Sequence, residues 1–181
     1  MNRTGIILAG GKSSRMNEDK GLMLLDGKPM IQYVIDALNP IVDEIIIVSN
    51  NPEYEQFGYS VYEDLIKRKG PLAGIYTGLS HSTSETNIIL SCDIPYVSAE
   101  LLSFLIENNQ DQITIPAYKG RTHQLIGVFS KSCEINFLMS LEKEQLKLMN
   151  AFKNLNLNVV DASHFDEQLF TNINSPSDIK D

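Results

Sequence analysis

Two short runs of the sequence are apolar without interruption, and they limit the possible folds more than any other feature. Residues 45–48 read Ile-Ile-Ile-Val and residues 88–90 read Ile-Ile-Leu. Such runs are typical of strands covered on both faces, because a strand with one face in water alternates apolar and polar residues. Segments with helical spacing of apolar residues separate these strands. The alternation predicts an α/β fold, a three-layer α/β/α sandwich with a mostly parallel, Rossmann-like sheet.

The predicted elements follow one another along the whole chain. Strands are expected at residues 5–8, 44–49, 60–62, 87–91, 112–116 and 125–129. Helices are expected after Pro29, after Gly70 and after Ser98. Because no linker, repeat or low-complexity stretch interrupts this pattern, residues 1–181 are predicted to form a single domain.

Composition excludes several classes of protein. The formal net charge is −8, which argues against nucleic acid as a partner. No apolar run reaches the roughly 18 residues of a membrane span and no signal peptide opens the chain, so we expect a cytoplasmic protein with no membrane partner. The two cysteines, Cys92 and Cys133, are too few for a disulfide framework and lack the spacing of a metal site.

The first predicted strand runs into a glycine turn that carries three cations. Gly10 and Gly11 are followed by Lys12, Arg15 and Lys20. Glycine lets backbone N–H groups approach a ligand closely, and open α/β sheets bind ligands where their strands end. A backbone concavity with fixed cations suits a triphosphate. The turn therefore predicts a nucleotide site, although a simple turn with solvated lysines has the same composition.

Two familiar phosphate loops do not account for this turn. The Walker loop requires glycine where this chain has Ile6. The dinucleotide pattern Gly-x-Gly-x-x-Gly is missing because Gly10 and Gly11 are adjacent. Any phosphate site at this turn is of another type.

Two aspartates follow predicted strands. Asp93 comes just after the apolar run 88–90, so we expect it at the carboxyl end of a central strand. There it suits Mg²⁺, which takes one or two carboxylates and completes its shell with water and phosphate, but a turn or helix-cap role before Pro95 is equally consistent. Asp64 follows the strand 60–62, and a surface turn is the alternative to a role in ligand binding.

Four blocks of sequence carry a resemblance to a known family. The first combines residues 8–16 (LAGGKSSRM), 19–25 (DKGLMLL) and 27–31 (GKPMI). The others are residues 63–64 (ED) followed by 70–75 (GPLAGI), residues 91–95 (SCDIP) and residues 172–176 (NINSP). In order and spacing they resemble the nucleotidyltransferases that build the molybdenum cofactor dinucleotides, and within that family the guanylyl-transferring members. The blocks extend over nearly the entire chain.

The resemblance implies a fold of the nucleotide-diphospho-sugar transferase type and an activity. The family's reaction would transfer GMP from GTP to the phosphate of molybdopterin, forming molybdopterin guanine dinucleotide and releasing pyrophosphate. The implied cofactor is Mg²⁺, and the implied partners are GTP, molybdopterin, other cofactor-biosynthesis proteins and recipient molybdoenzymes. The N-terminal part would bind the nucleotide and the C-terminal part the acceptor.

The same resemblance assigns residues to roles. Nucleotide binding falls to Leu8, Ala9, Gly10, Gly11, Lys20, Asp64 and Asp93. Catalysis falls to Arg15, Lys20 and Asp93, with Asp93 also the metal ligand. The candidates for acceptor binding are Arg121, His123, Asn172 and Asn174, although the asparagines would equally well support a helix cap formed by Ser175 and Asp178.

The choice of base rests on Gly10. In the family, guanylyl enzymes tend to carry Leu-Ala-Gly-Gly and cytidylyl relatives Leu-Ala-Ala-Gly, and this chain has Gly10 and Gly11. An extra methyl group at position 10 would crowd a purine, so GTP is favoured over CTP. Two alternatives stay open: a cytidylyl- or sugar-phosphate nucleotidyltransferase on the same fold, and a non-catalytic nucleotide-binding protein. The chain departs from the family pattern at Asn17, Val48 and Gln124.

Overall fold

Strands and helices alternate along the part of the chain that the computed structural model describes, namely residues 2–10, 19–175 and 178. The strands are β1 (Arg3–Leu8), β2 (Leu24–Leu25), β3 (Lys28–Pro29), β4 (Glu44–Val48), β5 (Ser60–Tyr62), β6 (Thr86–Ser91), β7 (Ile113–Tyr118), β8 (Arg121–Thr122), β9 (Ile126–Ser130) and β10 (Leu157–Asp161). The α-helices are α1 (Met30–Leu38), α2 (Pro71–His81), α3 (Ala99–Glu107), α4 (Glu134–Glu142) and α5 (Leu148–Ala151). Short 3₁₀ turns cover Lys20–Leu22, Pro52–Phe57, Lys131–Cys133, Phe152–Asn154 and Glu167–Phe170.

The main sheet has the order β10-β7-β9-β6-β1-β4-β5, with β8 paired to β7. Strands β6, β1, β4 and β5 are parallel to one another, and β10 is parallel to β7. Strand β9 is antiparallel to both β6 and β7. The predicted fold class, a mostly parallel α/β sheet with helices, is confirmed. All six predicted strands are present, whereas β10 and the small hairpin β2–β3 were not predicted.

Alternate residues of the central strands enter two different cores. On one face, Ile7, Ile47 and Leu90 pack with the apolar sides of α1 and α3. On the other face, Ile6 and Ile89 pack with α2 and α4. Because helices cover both faces of these strands, the runs 45–48 and 88–90 are apolar without interruption.

The register of the central strands brings three connecting segments to one edge. Leu8 is paired with Val48 of β4 and with Ser91 of β6. Strands β1, β4 and β6 therefore end at the same level, and the residues that follow each of them lie side by side. Ligands of open α/β sheets bind at this edge.

Neither cysteine is available as a nucleophile. Cys92 and Cys133 are both buried and unpaired. Burial raises the pKa of the Cys133 thiol to about 12 and raises that of Cys92 as well, so both remain protonated near neutral pH. Among the described residues, no helix is both long and apolar enough to span a bilayer.

Candidate active site

The chain leaves β1 along the carboxyl edge of the sheet and is fixed there on both sides. The N–H of Ala9 donates to the carbonyl of Val48 at 2.9 Å, and Oγ of Ser49 donates to the carbonyl of Ala9 at 2.8 Å. The N–H of Cys92 donates to the carbonyl of Leu8 at 3.1 Å. Leu8 and Ala9 are buried, and Gly10 is the first exposed residue after the strand.

Gly10 has few close neighbours among the described residues. A Cβ atom built on Gly10 would have a single described neighbour within 4 Å, the carbonyl oxygen of Val48 at 4.0 Å. Within the described residues, packing therefore gives no reason for glycine at position 10. No described residue fills the space over Gly10.

Asp93 lies just past the end of β6, with its two carboxylate oxygens in different environments. Oδ1 accepts hydrogen bonds from Oγ of Ser91 at 2.6 Å and from Nδ2 of Asn172 at 3.1 Å. Oδ2 faces Nζ of Lys20 at 3.7 Å. The backbone is fixed too, since the N–H of Ile173 donates to the carbonyl of Asp93 at 2.8 Å. The side chain is only 13% exposed, so neighbouring protein atoms restrict its orientation.

Lys20 is the cation of this cluster. Its Nζ donates to Oδ1 of Asn174 at 2.6 Å, and its side chain is 30% exposed. Lys20 begins a 3₁₀ turn whose N-cap is Asp19. Residues from the N-terminal loop, from the end of β6 and from the C-terminal segment thus meet in one place. An ammonium group beside a carboxylate and two amides can hold phosphate oxygens and neutralise their charge.

Asp64 lies on the β5 side of β1. Its carboxylate accepts from Nδ2 of Asn50 at 3.1 Å, while its own N–H donates to Oδ1 of Asn50 at 3.3 Å. Gly74 lets α2 approach, since a Cβ there would lie 3.2 Å from Cδ2 of Leu8 and 3.9 Å from Oδ1 of Asp64. Burial raises the pKa of the Asp64 carboxyl, and the Asn50 hydrogen bond and the charge of Lys67 oppose this effect. The sequence analysis assigned no partner to Asp64.

The four predicted acceptor residues line one cleft. Its volume is about 600 Å³, and Arg121, His123, Asn172 and Asn174 all contribute to its walls. A second hollow of about 310 Å³ shares Arg121, His123 and Asn172 and reaches Ser91 beside the Asp93 cluster. The cleft is thus continuous with the site of the charged residues.

The cleft combines an aromatic wall with cations. Phe170 stacks on Tyr118 with ring centroids 5.1 Å apart, and His123 lies 4.8 Å from Phe170. Burial, and next the charge of Arg121, lower the pKa of the His123 imidazole, which keeps it neutral at pH 7. A planar aromatic ligand with an anionic group suits such a surface.

Asn172 and Asn174 contact residues of the site, and their segment also forms hydrogen bonds with Asp178 near the C-terminus. Their side chains reach Asp93 and Lys20, as described above, and the backbone N–H groups of Asn174 and Ser175 donate to Oδ2 of Asp178 at 2.8 and 2.9 Å. The two alternatives of the sequence analysis are therefore compatible. Gly11, Lys12 and Arg15 lie outside the described residues, so their predicted roles stay predictions.

Sequence reasoning missed several residues of this site. Ser91 belongs to a quoted block but was given no role, although its position two residues before Asp93 puts both side chains at the end of one strand. Tyr54 and Asp19 were given no role either, and Tyr54 contacts Asp19 only through the tertiary structure.

The fold and the site together define a nucleotidyltransferase of the α/β class. The family of the MobA-like NTP transferase domain matches residues 5–158, and the chain belongs to this family. A probable molybdenum cofactor guanylyltransferase of Flavobacterium johnsoniae is 41% identical over 180 residues, which cover 98% of this chain and 95% of that protein. A molybdenum cofactor guanylyltransferase of Yersinia pestis is 36% identical, with coverage of 98% and 93%.

Solved structures agree with this assignment of the fold. A protein of Aquifex aeolicus superposes with a TM-score of 0.83 and 28% identity, covering 95% of this chain and 93% of its own. The molybdopterin-guanine dinucleotide biosynthesis protein A of Archaeoglobus fulgidus superposes with a TM-score of 0.81 and 23% identity, covering 97% and 94%. The second likeness, at this level of identity, concerns the fold alone.

Proposed function

We propose that this protein transfers the guanylyl group of GTP to the phosphate of molybdopterin, forming molybdopterin guanine dinucleotide and releasing pyrophosphate. The observation that carries the proposal is the joint position of Lys20, Asp93 and Asn172. They connect the loop after β1 with the cleft of Arg121 and His123. A transferase that joins two substrates needs such a junction, since both substrates must meet at one phosphorus atom. The names of the relatives support the choice of substrates.

The reaction asks little covalent chemistry of the protein. An oxygen of the acceptor phosphate attacks the α-phosphorus of GTP, the bond from that phosphorus to the bridging oxygen breaks, and pyrophosphate leaves with the electron pair. Positioning and neutralisation of charge account for most of the catalysis in such transfers. Lys20 supplies a positive charge for the α-phosphate, and Arg15 is proposed to hold the leaving pyrophosphate as a bidentate donor.

Asp93 fits the role of a magnesium ligand. No cluster of three or more potential metal ligands occurs among the described His, Cys, Asp and Glu residues, so the chain does not form a complete cage there. Mg²⁺ in nucleotide sites takes one or two carboxylates and otherwise binds water and phosphate. Among the described residues, none donates a hydrogen bond to Oδ2 of Asp93, which faces the ammonium of Lys20 at 3.7 Å. When bound, the ion would supply further positive charge to the phosphates.

Asp64 and the loop after β1 are proposed to bind the nucleoside. Leu8, Ala9 and Gly10 would lie under the nucleoside, and Gly11 is predicted to contact the nucleotide as well. No described residue fills the space over Gly10, which supports GTP, since a purine stacked on bare backbone would collide with a methyl group at that position.

The cleft is proposed to bind the acceptor. Arg121 and His123 would face the phosphate, and Asn172 and Asn174 would orient it toward Lys20. We further expect the product to pass to other cofactor-biosynthesis proteins and to recipient molybdoenzymes. The cytoplasmic location expected from the sequence stays a prediction.

Thermal unfolding with Mg²⁺ and each of GTP, CTP, UTP, ATP and dTTP tests the nucleotide. A ligand at 100 times its Kd adds about 2.7 kcal/mol, which is visible as a raised midpoint. We expect stabilisation by GTP, followed by pyrophosphate release when molybdopterin is added. A response to CTP, UTP or dTTP instead would replace the proposal by the cytidylyl or sugar-phosphate alternative. GTP binding with no release of pyrophosphate would favour a non-catalytic protein.

A further inference from the structure

The carboxylate of Asp19, the residue before Lys20, accepts three hydrogen bonds from protein groups. Its Oδ1 atom accepts hydrogen bonds from the hydroxyl of Tyr54 and from the N–H of Gly21, the latter at 3.3 Å. Its Oδ2 atom accepts from Nδ2 of Asn51 at 3.1 Å. All three donors are protein groups, so these hydrogen bonds of the Asp19 carboxylate hold the protein together rather than bind a ligand. It also caps the turn on which Lys20 stands.

Tyr54 is the buried member of this group. It lies in the 3₁₀ turn Pro52–Phe57 and is 0% exposed. Burial raises the pKa of its hydroxyl above the ordinary value, and the neighbouring Cys92 and Asp19 act in the same direction. The hydroxyl therefore remains protonated near neutral pH and can donate to Asp19.

Packing brings the same group to Asp93. A Cβ atom on Gly21 would overlap the hydroxyl of Tyr54 and would lie 3.2 Å from Sγ of Cys92. The turn of Lys20, the ring of Tyr54 and the residue before Asp93 are thus in direct contact. Movement of Tyr54 would displace the turn of Lys20 relative to Asp93.

Stability alone is a weak reason for this arrangement. Burial of a carboxylate costs desolvation free energy, and apolar residues of similar volume often serve a core equally well. The hydrogen bonds to Asp19 fix the direction of the backbone at residues 19–21. Lys20 has a long, flexible side chain, and a fixed backbone limits the positions that its ammonium group can reach.

We propose that Asp19 and Tyr54 are positioning residues, which hold the Lys20 ammonium group between Asp93 and Asn174. The inference rests on the proposed function for its catalytic consequence, but the position of Lys20 can be measured without any substrate. Asp19 and Tyr54 contact no substrate themselves. They act through Lys20.

The first test is substrate-free labelling of Tyr54→Phe, which removes only the hydroxyl. Competitive acetylation, read by mass spectrometry, compares the amine of Lys20 with that of Lys67, whose side chain is 66% exposed. We expect the relative reactivity of Lys20 to rise several-fold in Tyr54→Phe. It should stay unchanged in Tyr59→Phe, the matched control, whose hydroxyl donates to Oδ1 of Asn39 at 3.1 Å. An unchanged reactivity of Lys20 in Tyr54→Phe would overturn the proposal.

The second test is a double-mutant cycle with Lys20→Met, measured as transfer rate. In the wild-type background, we expect Tyr54→Phe to lower kcat by about 10-fold or more with little change in KM for GTP. In the Lys20→Met background, we expect Tyr54→Phe to cause no further loss of kcat. An equal loss in both backgrounds would show a merely structural role and overturn the proposal. If the wild-type protein transfers no guanylyl group to molybdopterin, the proposed function fails, while the labelling result still decides the role of Tyr54.

Discussion

The Nζ atom of Lys20 donates a hydrogen bond of 2.6 Å to Oδ1 of Asn174, a residue 154 positions later in the chain. This contact joins the segment proposed to bind the nucleotide to the segment proposed to bind the acceptor. The same ammonium group faces Asp93 at 3.7 Å. Because Lys20 lies between the two substrate regions, removal of its partners should affect the transfer step more than the binding of either substrate.

Asn174→Ala removes the amide that holds Lys20. We expect kcat to fall about 10- to 100-fold, the range for loss of a hydrogen bond to a charged group. KM for GTP should change much less, since Lys20 keeps its charge. Steady-state kinetics would check this, with Asn154→Ala as control because Asn154 is an exposed asparagine outside the cleft. An unchanged kcat in Asn174→Ala would contradict the proposed role of this contact.

Asp93→Asn removes one negative charge and little else. Oδ1 of the new side chain can still accept from Ser91 and Asn172, so the fold should be retained. We expect transfer to fall by about 10²–10³, as when a preorganised charge is removed from other active sites. Pyrophosphate release and thermal unfolding should be measured together, with Asp111→Asn, an exposed aspartate, as control. Full activity with a normal unfolding midpoint would exclude Asp93 as a metal ligand.

Gly10→Ala tests the choice of base. The added methyl group would have one described neighbour, the Val48 carbonyl at 4.0 Å, so the unfolding midpoint should stay within a few degrees of wild type. We expect kcat/KM for GTP to fall and that for CTP to rise, because a pyrimidine is smaller than a purine. Relative kcat/KM for the two nucleotides is the measurement. An equal loss of kcat/KM for GTP and for CTP would show that Gly10 does not determine the choice of base.

Gly78→Ala is the matched contrast to that variant. A Cβ atom on Gly78 would overlap Cγ2 of Ile6 in the core between α2 and β1. Overpacking of this kind costs about 1–3 kcal/mol of unfolding free energy. Urea unfolding should therefore show a loss of stability in Gly78→Ala and none of comparable size in Gly10→Ala.

His123 should make acceptor binding depend on pH. Its folded-state pKa is lowered by burial and by Arg121, so the imidazole is neutral at pH 7 and gains a proton only below the ordinary value of 6.5. The neutral His123 imidazole also contributes to the stability of the folded protein. This contribution is fully present above pH 6.5 and is lost as the pH falls toward the lowered pKa. An anionic acceptor favours the protonated form, so KM for the acceptor should stay nearly constant above pH 6.5 and decrease as the pH falls below that value. The profile should be flatter in His123→Asn, and an identical profile would show that another group titrates.

Much of the fold was predictable because its signals are local. The continuous apolar runs of β4 and β6 indicated buried strands, and the helical spacing after Pro29 predicted α1 within one residue of its start. The antiparallel direction of β9 was not predictable, because a pattern of apolar residues within a strand carries no information about the direction of its neighbours. The edge strand β10 was missed, since it is only partly buried and its sequence mixes polar and apolar residues.

Part of the candidate site could likewise be predicted from local sequence, and part of it could not. The sequence by itself determined which residue types stand at the ends of β1 and β6, namely the glycines at positions 10 and 11 and the carboxylate of Asp93, because these depend on one strand and the turn after it. Only the tertiary structure decided that Asn172 and Asn174 reach Asp93 and Lys20, and that Tyr54 anchors Asp19. Those contacts depend on sheet order and register, which arise from packing between elements far apart in the chain.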